Sequence, residues 1–141
     1  MFAPAVESAA PRTTARGVAA TILMSTSFLA RPRLAPPPKV VSENVVRRLG
    51  LEPARLPGAV RHPGWLLAHL GFGVVLAFAH ELSPRPRSGV GFGLAAWIAN
   101  YAVGLPLLGL YPRPDRDDRV RAAASLAAHA VYGFALGRRG P

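Results

Sequence analysis

The chain has 141 residues, 50% of them hydrophobic, with 17 lysines and arginines against seven acids and a net charge of +10. That length allows one domain at most. The absence of cysteine excludes disulfides, thiolate metal sites and thiol catalysis.

The basic excess is almost wholly arginine, with Lys39 the only lysine. Lysine and arginine can neutralise phosphates, but these arginines flank apolar runs and do not form a helical stripe with interleaved exposed aromatics. Basic loops beside apolar helices are instead the ordinary product of membrane topology. The expected partner is therefore a lipid bilayer and not nucleic acid.

Residues 1–16, with Pro4 and Pro11, read as a flexible tail of small residues. Gly17 to Ala30 carries no charge between Arg16 and Arg31, and snorkelling arginines extend this first span to 12–30. A basic flank before a short apolar run also fits a signal peptide. The internal repeat needs this helix, which favours a retained anchor. After Pro36-Pro37-Pro38, the line Val41, Val45, Leu49 marks an amphipathic helix over 40–51, too charged to span.

An uncharged run with Trp65 near its start places the second span at 63–81, with His62 in the loop before it. The segment Ser83-Pro84-Arg85-Pro86-Arg87 reads as a tight turn. Ser88 to Pro112 is free of charge, which places a third span at 88–111, kinked at Pro106. Pro112-Arg113-Pro114-Asp115 breaks the chain, Asp117 or Asp118 caps the next helix, and a last span runs over 119–137.

Much of this pattern occurs twice. Ala68-His69-x-x-Phe72-Gly73-x-x-Leu76-Ala77 returns as Ala128-His129-x-x-Tyr132-Gly133-x-x-Leu136-Gly137, and Gly17-x-Ala19-Ala20-x-Ile22 returns as Gly93-x-Ala95-Ala96-x-Ile98. The expected fold is all-α, an integral membrane four-helix bundle built from a duplicated helical hairpin. It forms one membrane domain over 1–141, with a first hairpin over 12–81 and a second over 88–137. Each copy holds two spans, so the two copies insert in the same orientation.

Residues four apart share a helix face, which sets His69, Gly73 and Ala77 on one stripe and His129, Gly133 and Gly137 on another. Small residues at that spacing let membrane helices approach closely, so Gly73, Ala77, Gly89, Gly93, Gly133 and Gly137 are the expected packing positions. Gly89-x-Gly91-x-Gly93 lacks the spacing of a dinucleotide fingerprint. His69 and His129 are the candidate cofactor-binding or proton-handling pair, to be weighed against histidines that merely bond backbone or interfacial water. No catalytic motif, intramembrane carboxylate or metal-ligand cluster stands in the sequence, so neither an enzyme nor a resident cofactor or metal is expected. Helix capping and loop salt bridges account for Asp115, Asp117 and Asp118.

The repeated Ala-His-x-x-[Phe/Tyr]-Gly motif, the Gly-x-Ala-Ala-Thr start with Met24, and the third span with Trp97 and Gly104-Leu105-Pro106 resemble small bacterial inner-membrane proteins. These include the YagU-like proteins and related families of unknown function, and the resemblance covers most of residues 17–137. It implies a multi-pass protein of the bacterial inner membrane with no assigned reaction and a link to acid stress. The small-residue stripes add the expectation of a homo-oligomer.

Overall fold

The structure, a computed structural model, describes residues 3–29, 36–83 and 88–137, and all regular structure among them is helical. Helix α1 (Ala3–Leu29) is followed by α2 (Pro37–Arg48), a 3-10 turn at Pro53–Arg55, and α3 (Gly58–Glu81). Helix α4 (Gly89–Trp97) then continues through a π-helical segment, Ile98–Gly104, into α5 (Leu105–Leu107), and α6 (Arg119–Gly137) closes the order. The turn expected over 84–87 lies outside the described residues.

Several boundaries differ from the sequence expectation. The flexible tail expected over 1–16 is, from Ala3 onward, the N-terminal half of α1. Alanine at 3, 5, 9, 10 and 15 sustains the helix. Pro11 sits inside it and costs one backbone hydrogen bond, to the carbonyl four residues back. Helix α2 spans 37–48 and not 40–51, because its prolines start the helix. Pro36 is extended as the N-cap and proline follows in the first turn, where a missing N–H costs nothing. Helix α3 begins at Gly58, so His62 belongs to the helix backbone and not to a loop.

Two helix ends rely on left-handed glycine. At Gly50, φ is +76°, and Leu51 N–H reaches back to the Val46 carbonyl. At Gly109, φ is +61°, and Leu110 N–H reaches the Leu105 carbonyl. Both close a six-residue C-terminal motif that a side chain at the glycine would strain. The second one ends the third apolar helix at Leu107, four residues before the expected boundary.

The π-helical segment lies immediately before Pro106. Proline cannot donate to the carbonyl four residues earlier, and a wider turn lets the preceding backbone avoid that clash. At the place where a kink is expected from Pro106, the structure has the seven-residue π-helical segment Ile98–Gly104.

The helices pair as the repeat does. Helix α1 packs antiparallel to α3, and α4 packs antiparallel to α6. A Cβ on Gly17 would lie 2.9 Å from Val74 Cα and 3.1 Å from the Gly73 carbonyl oxygen. A Cβ on Gly89 would lie 2.7 Å from Gly137 Cα, and one on Gly93 3.0 Å from Gly133 Cα. Gly89 therefore takes against Gly133 and Gly137 the place that Gly17 takes against Gly73 and Ala77. Thr21, whose side chain fills the space beside Gly73, corresponds to Gly93. The sequence alignment of Gly17 with Gly93 is one helical turn out, a shift that keeps the same face.

The two pairs meet chiefly through α1 and α6, and not through α3 and α6. Helix α1 packs along α6, and the core cluster is Ala20 and Met24 with Ala77, Ala128, Tyr132 and Leu136. Arg16 fastens the end of this seam: its guanidinium donates to the Leu136 carbonyl and pairs with Glu81 at 3.5 Å. A cation at the last turn of α6 also complements the helix dipole.

Candidate functional site

The glycine contacts close only half of the helical assembly. Beyond Tyr132 and Gly73 the helices separate around a partly open cavity of about 790 Å³. Helices α1, α2, α3, the π-helical segment and α6 all contribute to its wall. Its inner end is set by Tyr132, whose hydroxyl donates to the Gly73 carbonyl at 2.5 Å and ties α6 to α3. Past that bond lie the backbone contacts of Gly17, Gly89, Gly93, Gly133 and Gly137. The cavity is blind on that side.

Both sequence-predicted histidines line it. His129 Nδ1 lies 2.8 Å from the Ser125 carbonyl, one turn back on α6. A carbonyl only accepts, so Nδ1 carries the proton and Nε2 keeps a free lone pair. His69 makes no hydrogen bond among the described residues. Asn100, placed in the wall by the π-helical segment, is a further polar group there with hydrogen-bonding capacity to spare. Most others are committed: Ser25 to the Thr21 carbonyl at 2.8 Å, Thr26 to the Leu23 carbonyl at 2.6 Å, and Ser125 to Trp97 Nε1 at 3.2 Å. Among the described residues, no lysine, arginine, aspartate or glutamate lines the cavity.

The packing positions expected from the sequence fall in the sealed half, except Gly73, which stands at its boundary and lines the cavity. Gly73, Ala77, Gly89, Gly93, Gly133 and Gly137 all stand at the helix contacts described above. No group of three potential metal ligands occurs among the described residues.

One group at the cavity edge was not anticipated as a unit. Asp117 is buried before α6 and accepts hydrogen bonds from Tyr101, from Tyr111 at 3.1 Å, from Arg121 Nε at 2.9 Å and from the Asp118 N–H at 2.8 Å. The Tyr101 ring stacks on Trp97 at 5.1 Å and meets Tyr111 at 5.2 Å. Burial opposes ionisation of Asp117, but the bonds from Arg121, Tyr101, Asp118 N–H and Tyr111 outweigh it and hold the carboxyl below its ordinary range. Asp118 is the helix cap, accepting from Arg121 N–H at 2.9 Å, while Asp115 pairs with Arg113 at 3.2 Å. The i, i+4 spacing of Asp117 and Arg121 was visible in the sequence; the reach of Tyr101, sixteen residues away, was not.

Helix α2 forms one rim. Val41 and Pro37 line the cavity, Asn44 Nδ2 donates to the Leu110 carbonyl at 2.8 Å, and Val45 and Leu49 on the apolar line of α2 stay exposed.

Comparison with known proteins leaves the assignment to this geometry: no family model, curated protein or solved structure matches the chain.

Proposed function

We propose that the chain is a small multi-pass protein of the bacterial inner membrane, a non-enzymatic accessory or stress-related module of the YagU-like kind that forms homo-oligomers. Among the described residues two helices are long and apolar enough to cross a membrane, Gly64–Glu81 and Gly89–Leu107. The observation that carries the reading is their exposure: only 11% and 17% of these windows is buried inside the protein. A core helix of a water-soluble protein hides its apolar surface, whereas Leu67, Val75, Ile98, Val103 and Leu107 all face outward. The 18 residues of Gly64–Glu81 extend about 27 Å, close to the thickness of a hydrocarbon core.

Helices α1 and α6 complete a four-span bundle in this reading. Each falls short of the same apolar test, since Arg12 and Arg16 lie within α1 and Arg119 and Arg121 open α6. Both pack along the apolar pair; Arg12 and Arg16 lie at mid-helix in α1 but open the 12–30 span, as Arg119 and Arg121 open α6, and from a span end snorkelling reaches water. Helix α2 lies at the interface with Val45 and Leu49 toward lipid. Alkaline extraction of membranes tests the assignment. The protein is expected in the pellet, and quantitative release into the supernatant refutes it.

A second reading gives His69 and His129 a ligand-handling role, and it is favoured by their shared cavity. Between the alternatives expected from the sequence, a conduit needs a path past Tyr132, where glycine-packed backbones close the way. Binding fits the blind cavity better than flux.

A further inference from the structure

We propose that this cavity binds an uncharged, membrane-soluble molecule whose head is a ring bearing carbonyl or hydroxyl oxygens, of the quinone and quinol class. The inference rests on the membrane reading, because such a molecule reaches the site through lipid.

Size is the first constraint. A volume of about 790 Å³ lies within the range of small-molecule sites, which are concave, mostly apolar and oriented by a few polar groups. Charge is the second. With no acid, lysine or arginine among the described lining residues, a carboxylate or phosphate head would be desolvated without a partner, an unfavourable exchange. The same argument weighs against haem, which carries two carboxylates, and it favours a neutral head.

Hydrogen bonding narrows the class. The groups left unspent among the described lining residues include His69, Asn100, the indole N–H of Trp65 and Nε2 of His129. Asn100 and His69 can each donate or accept, so they can donate to the carbonyls of a quinone, while Nε2 of His129, an acceptor, takes a hydrogen bond from a hydroxyl of the quinol. Aromatic side chains at Trp65, Phe72 and Tyr101 supply faces for a flat ring, and the aliphatic wall suits a hydrocarbon tail.

The test uses the full-length protein in detergent micelles, with decylubiquinone as the probe. In a Trp97→Phe background Trp65 is the only tryptophan, and its fluorescence reports occupancy. Saturable quenching is expected, with His69→Ala raising the half-saturation concentration of the quinone, and His129→Ala that of its reduced quinol, about tenfold, as for the loss of a buried polar contact. Ser25→Phe, which fills the cavity and keeps both histidines, is expected to abolish saturation. Any of four results overturns the proposal. These are linear quenching identical in all variants, saturation that ignores both histidine substitutions, saturable binding of monoolein in place of the quinone, and a His69-dependent Soret band after haem-replete expression. A protein that stays in the alkaline membrane pellet yet shows no saturable quenching refutes the ligand and leaves the membrane reading standing.

Discussion

Gly133→Ala measures how closely α4 and α6 approach. A methyl at this position would overlap the Gly89 carbonyl oxygen and lie 2.8 Å from Gly89 C and 2.9 Å from Gly93 N. All three are backbone atoms, so no side chain can rotate away. Restoring ordinary separations of roughly 3.5–4.0 Å moves the helices apart by about 1 Å or more, which forfeits about half or more of each dispersion contact along the seam. Overpacking of this kind costs about 1–3 kcal/mol. Gly71→Ala on α3 is the control, since its Cβ would meet nothing within 4 Å. Both substitutions gain whatever alanine contributes over glycine as a helix former, so their difference isolates the clash. A destabilisation of about 2 kcal/mol relative to the control corresponds to a drop in midpoint of roughly 5–10 °C. Thermal unfolding in detergent, followed by circular dichroism and size-exclusion recovery, reads it. Gly137→Ala should fall between the two, its closest contacts being 3.1 Å. Equal midpoints for Gly71→Ala and Gly133→Ala refute the close approach.

Three further outcomes are expected. Asp117→Ala should destabilise by about 2–4 kcal/mol, less than a fully buried pair because the Arg121 side chain is 22% exposed. Since the folded state holds the Asp117 carboxyl below its unfolded value, its contribution is full above the unfolded pKa near ~3.9 and is lost as pH falls toward the folded value. Acid titration of stability should thus lose a limb below about pH 4 in the alanine variant, and an unchanged acid profile sinks the assignment; Tyr101, Tyr111 and Arg121, which face Asp117, do not titrate there. Tyr132→Phe removes one bond to the Gly73 carbonyl, and chemical denaturation should show a loss of about 1 kcal/mol. For topology, eleven basic residues fall in the loops after the first and third spans (31–61 and 113–121) against six at the termini and in the loop 85–87, so both termini should face the periplasm. Arg31, Arg33, Arg85, Arg87, Arg138 and Arg139 lie outside the described residues, so the count rests on sequence. A C-terminal reporter active only after export tests it, and activity confined to the cytoplasm reverses the orientation.

The sequence by itself determined that the chain is helical, where the long apolar runs lie and which small residues line one face of each. These are local properties: hydropathy runs and a period near 3.6 need no knowledge of a partner helix. It also exposed the duplication, because Gly73 and Gly133 recur in the same Ala-His-x-x-x-Gly frame. Tertiary structure decided what each stripe meets. Thr21 fills one turn in the first pair where Gly93 leaves room in the second, a difference that shifts the register by a turn and that no single-helix pattern encodes. Only packing could place α1 along α6. The cavity is likewise a product of assembly. It exists because glycines draw the helices together at one end, where the Tyr132–Gly73 bond closes it, while the π-helical segment contributes Asn100 and Tyr101 to the wall beyond. Asp117 shows the same limit: its spacing to Arg121 reads as a surface i, i+4 pair, and burial beneath Tyr101 and Tyr111, reached across a chain reversal, makes it a structural anion.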